Sequence, residues 1–198
     1  MRGVMETGSQ AELEQRLALV GPEDTLRGFF FTAALRVVRT ECDETVLRRC
    51  LEASGEGRFM AFFSYPVSPL LRLLYAAAWA LSEKHGGVDA ALRYLGRQVV
   101  PDYLESSAGR LLMMLPVGAP KLLLGNLPPT YRTAVLHGEC SVTWTGANRC
   151  VLRIQRNAIP MPYFEGALLG LFASLKFKHV KVVGRQVGPQ ESEFSISW

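Results

Sequence analysis

The sequence predicts an α+β fold: N-terminal helices packed on a C-terminal four-stranded antiparallel sheet, with one helix crossing between its strands. Three observations carry this. The middle of the chain reads as helices punctuated by Gly and Pro. From Tyr131 onward the apolar period drops from helical to two. A single long apolar segment, PMPYFEGALLGLFASL, then interrupts the strands. Helices first and strands last is the arrangement of segregated layers.

At 198 residues and 48% hydrophobic content the chain is long enough for one well-buried core. The division it suggests is an N-terminal helix and loose terminus over residues 1–27, followed by a single domain over 28–198. The helical part of that domain covers 28–128 and the sheet part 130–198. The 22 basic and 18 acidic residues are scattered, with no Lys/Arg run and no basic patch interleaved with aromatics, so nucleic acid is not an expected partner. Pro69–Leu81, the longest apolar stretch, is interrupted by Arg72 and falls short of the ~20 residues a membrane span needs. The opening MRGVMETGSQAELEQRL has no secretory pattern, and four cysteines without close spacing fit a reducing cytoplasm.

In chain order, a short helix is expected around Ala11–Leu19, stopped by Gly21-Pro22. In LRGFFFTAALRVVRT, Phe29, Phe30 and Phe31 open as a strand or as helix before Ala33–Val38 turns helical; periodicity alone does not separate the two. Asp43 caps a helix that Gly55 stops, with Val46, Cys50 and Leu51 inward. Ser68 with Pro69 at the first helical position starts a helix ended by Gly86-Gly87. Val88, Leu92, Leu95, Val99 and Tyr103 form the stripe of the next, disturbed by Pro101. Ser106 or Ser107 caps a segment stopped by Pro116, and Lys121–Leu124 forms a short turn of helix. Pro128-Pro129 marks the change to strands. Cys140, Val142 and Trp144 share one face of a hairpin with Cys150, Leu152 and Ile154, in a register left open. The strands HVKVVGRQV and EFSISW complete the sheet, joined by a Gly188-Pro189 turn, with Phe194, Ile196 and Trp198 alternating inward.

The crossing helix carries Gly166, Gly170 and Ala173 on one side and Phe164, Leu168, Leu171 and Leu175 on the other. At about 100° per residue these stripes point in nearly opposite directions, so the helix is expected to be covered twice. Two glycines inside a helix cost about 1 kcal/mol each relative to alanine, and close approach to a neighbouring backbone is the compensating gain.

No nucleophile elbow, phosphate-cradling loop or His-Glu-x-x-His helix occurs, and His85, His137 and His179 stand far apart. No catalytic residue, metal site or cofactor follows. Cys140 and Cys150 read as buried small hydrophobes rather than a redox pair or metal half-site. Arg93, Arg97 and Arg110 recur near apolar helices and suit either a ligand carboxylate or a solvated helix face. Aromatic side chains that line ligand sites and subunit contacts supply the candidate pocket: Tyr65, Trp79, Tyr103, Tyr131, Trp144, Tyr163 and Phe164. The helix from Pro69 to Leu81, apolar on almost every side, supplies the candidate dimer contact at Leu73, Ala76 and Ala80.

The blocks VSPLLRLLYAAAWAL, ALRYLGRQVVPDYLESSAGRLL, LPPTYRTA and YFEGALLGLF with HVKVV, ending in ISW, lend the chain a family resemblance from about Gly28 to Trp198. It resembles an uncharacterised family, a domain of unknown function multiplied into many paralogs in myxobacteria. That family is similar in architecture to vinyl-reductase-type ligand domains, the haem-nitric-oxide-binding-like fold and TRAPP-type trafficking subunits. The resemblance implies helices on an antiparallel sheet, frequent dimers and, in several relatives, a pocket for an apolar small molecule or acyl chain. It implies no defined reaction. YLESSAGR resembles the Tyr-x-Ser-x-Arg triplet that holds haem propionates in haem-nitric-oxide domains, but Tyr103, Ser106 and Arg110 have the wrong spacing. The expectation is a non-enzymatic cytoplasmic regulatory or sensory module, a homodimer that binds an apolar small molecule or lipid. The alternatives are an adaptor that contacts a protein partner without a ligand and an unrecognised enzyme.

Overall fold

A computed structural model describes residues 8–55, 57–115 and 119–198. Of the loose terminus expected over residues 1–9, residues 1–7 lie outside them, as does the Pro116 helix stop. Helix α1, Gln10–Leu17, is capped by Ser9, whose hydroxyl accepts the Glu12 N–H. Strand β1, Thr25–Arg27, pairs antiparallel with β2, Ser64–Pro66. Helix α2 spans Phe29–Glu41, so the three phenylalanines are its first turn and not a strand. All three are buried there, and coverage of α2 on nearly every side overrides the strand preference of Phe.

Helix α3, Glu44–Ser54, begins where the Asp43 carboxylate accepts the Val46 N–H at 2.8 Å and ends at Gly55 with φ 72°. Helix α4, Val67–His85, starts one residue before the expected cap, which puts Pro69 at the third helical position, where its missing N–H has no intrahelical partner. Helices α5 (Val88–Gln98) and α6 (Val100–Glu105) divide next to Pro101; α7, Ser107–Met113, is capped by the Ser106 hydroxyl on the Gly109 N–H.

Helix α8 runs over Pro120–Ala134, straight through Pro128-Pro129, and replaces the short turn expected at Lys121–Leu124. The helical part therefore reaches Ala134, and the first strand of the large sheet starts only at Glu139. The two prolines delete only the bonds to the Leu124 and Gly125 carbonyls. Buried Leu123, Leu124, Leu127, Thr130 and Ala134 keep the helical period across them, and that packing outweighs the loss.

Strands β3 (Glu139–Gly146), β4 (Arg149–Gln155), β5 (Lys181–Gly188) and β6 (Glu191–Ser197) form one antiparallel sheet in the order β3-β4-β6-β5. Cys140 opposes Ile154, Val142 opposes Leu152 and Trp144 opposes Cys150, so the six share one face as expected. Phe194 and Ile196 continue that face opposite Leu152 and Cys150 and are fully buried.

Helix α9, Met161–Ser174, crosses between β4 and β5 and makes its most extensive contact with α5. The small stripe faces that neighbour: a Cβ placed on Gly166 would sit 2.6 Å from the Arg93 carbonyl carbon, and one on Gly96 of α5 would sit 2.8 Å from that of Tyr163. The two backbones interlock, and the large stripe of Phe164, Leu168 and Leu171 turns to the sheet side. Helix α4, apolar nearly all round, is covered by α1, α2, α3 and α5 of its own chain. No helix among the described residues is long and apolar enough to cross a membrane.

Candidate functional site

Between the helices and the inner face of the sheet lies an apolar cavity of about 100 Å³. Its walls are Phe29 and Phe30 of α2, Val100 and Tyr103 of α6, Leu127, Tyr131 and Ala134 of α8, Cys140, Leu152 and Ile154 of the sheet, and Phe164, Leu168 and Leu171 of α9. Helices α2, α6, α8 and α9 and strands β3 and β4 thus contribute, each turning apolar side chains to this one place.

The Tyr131 hydroxyl is buried and has no hydrogen-bond partner among the described residues. Burial pushes its phenol far above the ordinary value and pushes the Cys140 thiol up to about 12, so neither carries charge at neutral pH. The Tyr163 hydroxyl is likewise buried without a partner. A lining with no charge and one orphaned hydroxyl suits a neutral molecule with a single hydrogen-bonding group.

Of the seven aromatic residues expected in a pocket, the structure brings together Tyr103, Tyr131 and Phe164. Tyr163 stands just behind the wall, its ring against Phe30 and Phe164. The other three are elsewhere. Tyr65 on β2 packs on Phe31 and Phe59 and accepts the Met60 N–H. Trp79 on α4 is partly exposed and donates its indole N–H to the Gly8 carbonyl at 2.6 Å. Trp144 is exposed at the end of β3, edge-on to Trp198. Side-chain chemistry marks them as pocket formers, but long-range packing decides where each ring points. Phe29, Phe30 and Cys140 were missed, although the even-numbered inward face of the hairpin already carried Cys140.

None of the three arginines Arg93, Arg97 and Arg110 lines this cavity. Arg93 pairs with the buried Glu165 of α9, whose other oxygen accepts the Gly184 N–H of β5 at 3.1 Å. Arg97 is exposed, and Arg110 donates to the Glu105 carbonyl. Leu73 is fully buried inside its own chain, which leaves Ala76, half-buried, and Ala80, exposed, as the surface of the expected dimer strip.

A haem is what the architecture raises, and the residues present do not fit one. The cavity is far smaller than the ~300–1,000 Å³ of ordinary ligand sites, and no histidine or cationic side chain lines it. His85 lies 3.3 Å from Glu41 and stacks on Tyr94; His137 donates from Nδ1 to the Thr25 carbonyl, behind the wall; His179 is exposed. Cys140 is held as a neutral thiol. Among the described residues no group of three His, Cys, Asp or Glu stands ready for a metal ion. Cys140 and Cys150 lie four residues apart along one face, roughly 13 Å by the strand rise, too far for a disulfide.

Fold and cavity together define a class: an α+β domain whose helices and antiparallel sheet close over an apolar core cavity. The chain belongs to the DUF2378 family of proteins of unknown function, whose family model matches residues 19–198. Among solved structures it is similar to the unliganded Fe(II) H-NOX protein from K. algicida, with TM-score 0.65 and 16% identity, over 87% of this chain and 96% of that one. It is similar to an oxygen-binding H-NOX domain related to soluble guanylate cyclases, with TM-score 0.62 and 14% identity, over 87% and 94%. The IWP-051-bound H-NOX from Shewanella woodyi gives TM-score 0.57 and 20% identity, over 86% and 93%. At these identities the likeness is one of fold, and it bears out the resemblance to the haem-nitric-oxide-binding-like architecture. No curated protein sequence matches the chain.

Proposed function

We propose that this protein is a non-enzymatic sensory or regulatory module that holds a small neutral molecule, and not a haem, in the cavity between helices and sheet. The observation that carries the reading is the apolar cavity with the partnerless Tyr131 hydroxyl in its wall. The oxygen binding named for one fold neighbour, an H-NOX domain related to soluble guanylate cyclases, supports it as analogy. A space of this size takes a compact molecule; engineered apolar cavities of about 150 Å³ take benzene or xenon. A longer acyl chain enters only if the wall moves. Ala76 and Ala80 of α4 remain the proposed dimer strip.

Native mass spectrometry of protein purified from cells, joined to a thermal-shift series with small ketones and alcohols, tests the reading. A co-purifying small mass, or a rise in Tm that saturates with one of these molecules, is the expected result. A bare chain that no apolar molecule stabilises sinks it and leaves the adaptor without a ligand.

A further inference from the structure

The charges of the chain are divided unevenly. Residues 106–198 carry ten Lys or Arg against Glu139, Glu165, Glu191 and Glu193 alone, and no Asp or Glu occurs over 106–138, 140–164 or 166–190. Four of the five lysines, Lys121, Lys176, Lys178 and Lys181, fall in this part.

The topology gathers them at one end. Lys181 opens β5 opposite Ser197 of β6, and Ser197 opposes Arg149 at the start of β4. Helix α9 returns from the far end of β4, so Lys176 and Lys178 arrive at that same end. The start of α8 lines a groove together with Lys176 and Phe177, and this sets Lys121 at that end too. All five cations are exposed, and none of them forms an ion pair among the described residues.

Beside them stand large apolar side chains that the core does not use: Leu111 (63% exposed), Met113 (53%) and Met114 (81%) at α7, and Leu122 (48%) at α8. A groove of about 220 Å³ joins the two sets, with Met113, Leu115 and Leu123 on one side and Leu175, Lys176 and Phe177 on the other.

We propose that this end of the molecule docks on an anionic lipid surface, with the Met and Leu side chains entering the headgroup boundary and the lysines meeting lipid phosphates and carboxylates. Flexible apolar side chains at the same end as unpaired cations, with no carboxylate of the same segments among them, match the two parts of such a surface. A nucleic acid would meet the lysines but gives thioether and leucine side chains nothing to enter. Binding here is peripheral and needs no spanning helix.

The test is co-sedimentation of the full chain with phosphatidylcholine vesicles that contain one-third phosphatidylserine, against phosphatidylcholine alone, at low and at physiological salt. The expected result is binding to the anionic vesicles only, weakened by salt. The double variant Lys176→Gln, Lys178→Gln loses about fivefold in partitioning for each lysine removed. Met113→Ser with Met114→Ser lowers binding as well, and that loss persists at high salt. All four positions are exposed, so Tm of the free protein stays unchanged. Equal binding to both vesicles, or none at low salt, overturns the proposal. A loss on the lysine changes with none on the methionine changes also overturns it, in favour of an acidic protein or nucleic-acid partner.

Discussion

Gly166→Ala is the sharpest perturbation of this architecture. In an exposed helix the exchange would stabilise by about 1 kcal/mol. Here the new Cβ would lie 2.6 Å from the Arg93 carbonyl carbon and 2.8 Å from its Cα, closer still to the oxygen, where ordinary contact begins near 3.4 Å. The obstacle is backbone, so no side chain can swing aside. Helix α9 must retreat from α5 by roughly 1 Å, an overpacking cost at the upper end of ~1–3 kcal/mol. The retreat also pulls Glu165 away from Arg93 and disturbs its bond to Gly184. Net destabilisation of about 2 kcal/mol is expected by urea unfolding followed by circular dichroism. Two controls fix the scale. Gly125→Ala in α8 meets nothing within 4 Å and should gain about 1 kcal/mol. At Gly170 the new Cβ would lie 3.0 Å from a Val100 methyl and 3.2 Å from Arg97 Cα, so strain and propensity should nearly cancel. If Gly166→Ala is as stable as the parent while Gly125→Ala gains, the interlocked helix pair is wrong.

Tyr131→Phe removes an unpaired buried hydroxyl, so the free protein should gain about 1 kcal/mol in a thermal melt while any ligand-induced rise in Tm shrinks. Burial raises the Glu41 carboxyl, but hydrogen bonds from Lys84, Tyr94 and His85 outweigh it and hold the pKa below the ordinary 4.5. Its stabilising share is therefore complete above that pH and lost as pH falls through the lower folded value; acid titrations of unfolding should flatten in Glu41→Gln. Burial pushes the thiols of Cys140 and Cys150 up to about 12 and about 11, so neither should react with iodoacetamide at pH near 8 before global unfolding. Stoichiometric zinc that is lost when both become Ser would refute the reading of these two as packing residues.

Elements set by local chemistry were legible in the sequence. The Asp43 cap, the Gly55 and Gly86 stops, the Ser106 cap and the inward faces of the hairpin all stand as their side chains dictate. What was left open, or failed, depended on partners remote in sequence. Phe29–Phe31 became helix because neighbours cover α2 all round, and Pro128-Pro129 failed to end α8 because its apolar stripe continues to Ala134. The site divided the same way: Tyr131 and Phe164 lie on helices whose apolar stripes face the sheet, whereas Trp79 and Trp144 point outward by a geometry no local pattern carries. The small stripe of α9 was readable, though not that its support would be another glycine-bearing helix rather than the sheet.

The two prolines of α8 give the cavity one soft wall among stiff ones. Where a helix loses consecutive rungs of its ladder, resistance to bending falls, and those rungs are missing just before Tyr131 and Ala134, which face the cavity. The opposite wall is braced by α9 locked backbone to backbone on α5. A guest too large for the resting volume would therefore be accommodated by displacement of α8. The same motion would swing the start of α8, with Lys121 and Leu122, outward or inward at the far end, so that what fills the interior and what the surface presents would be mechanically one variable.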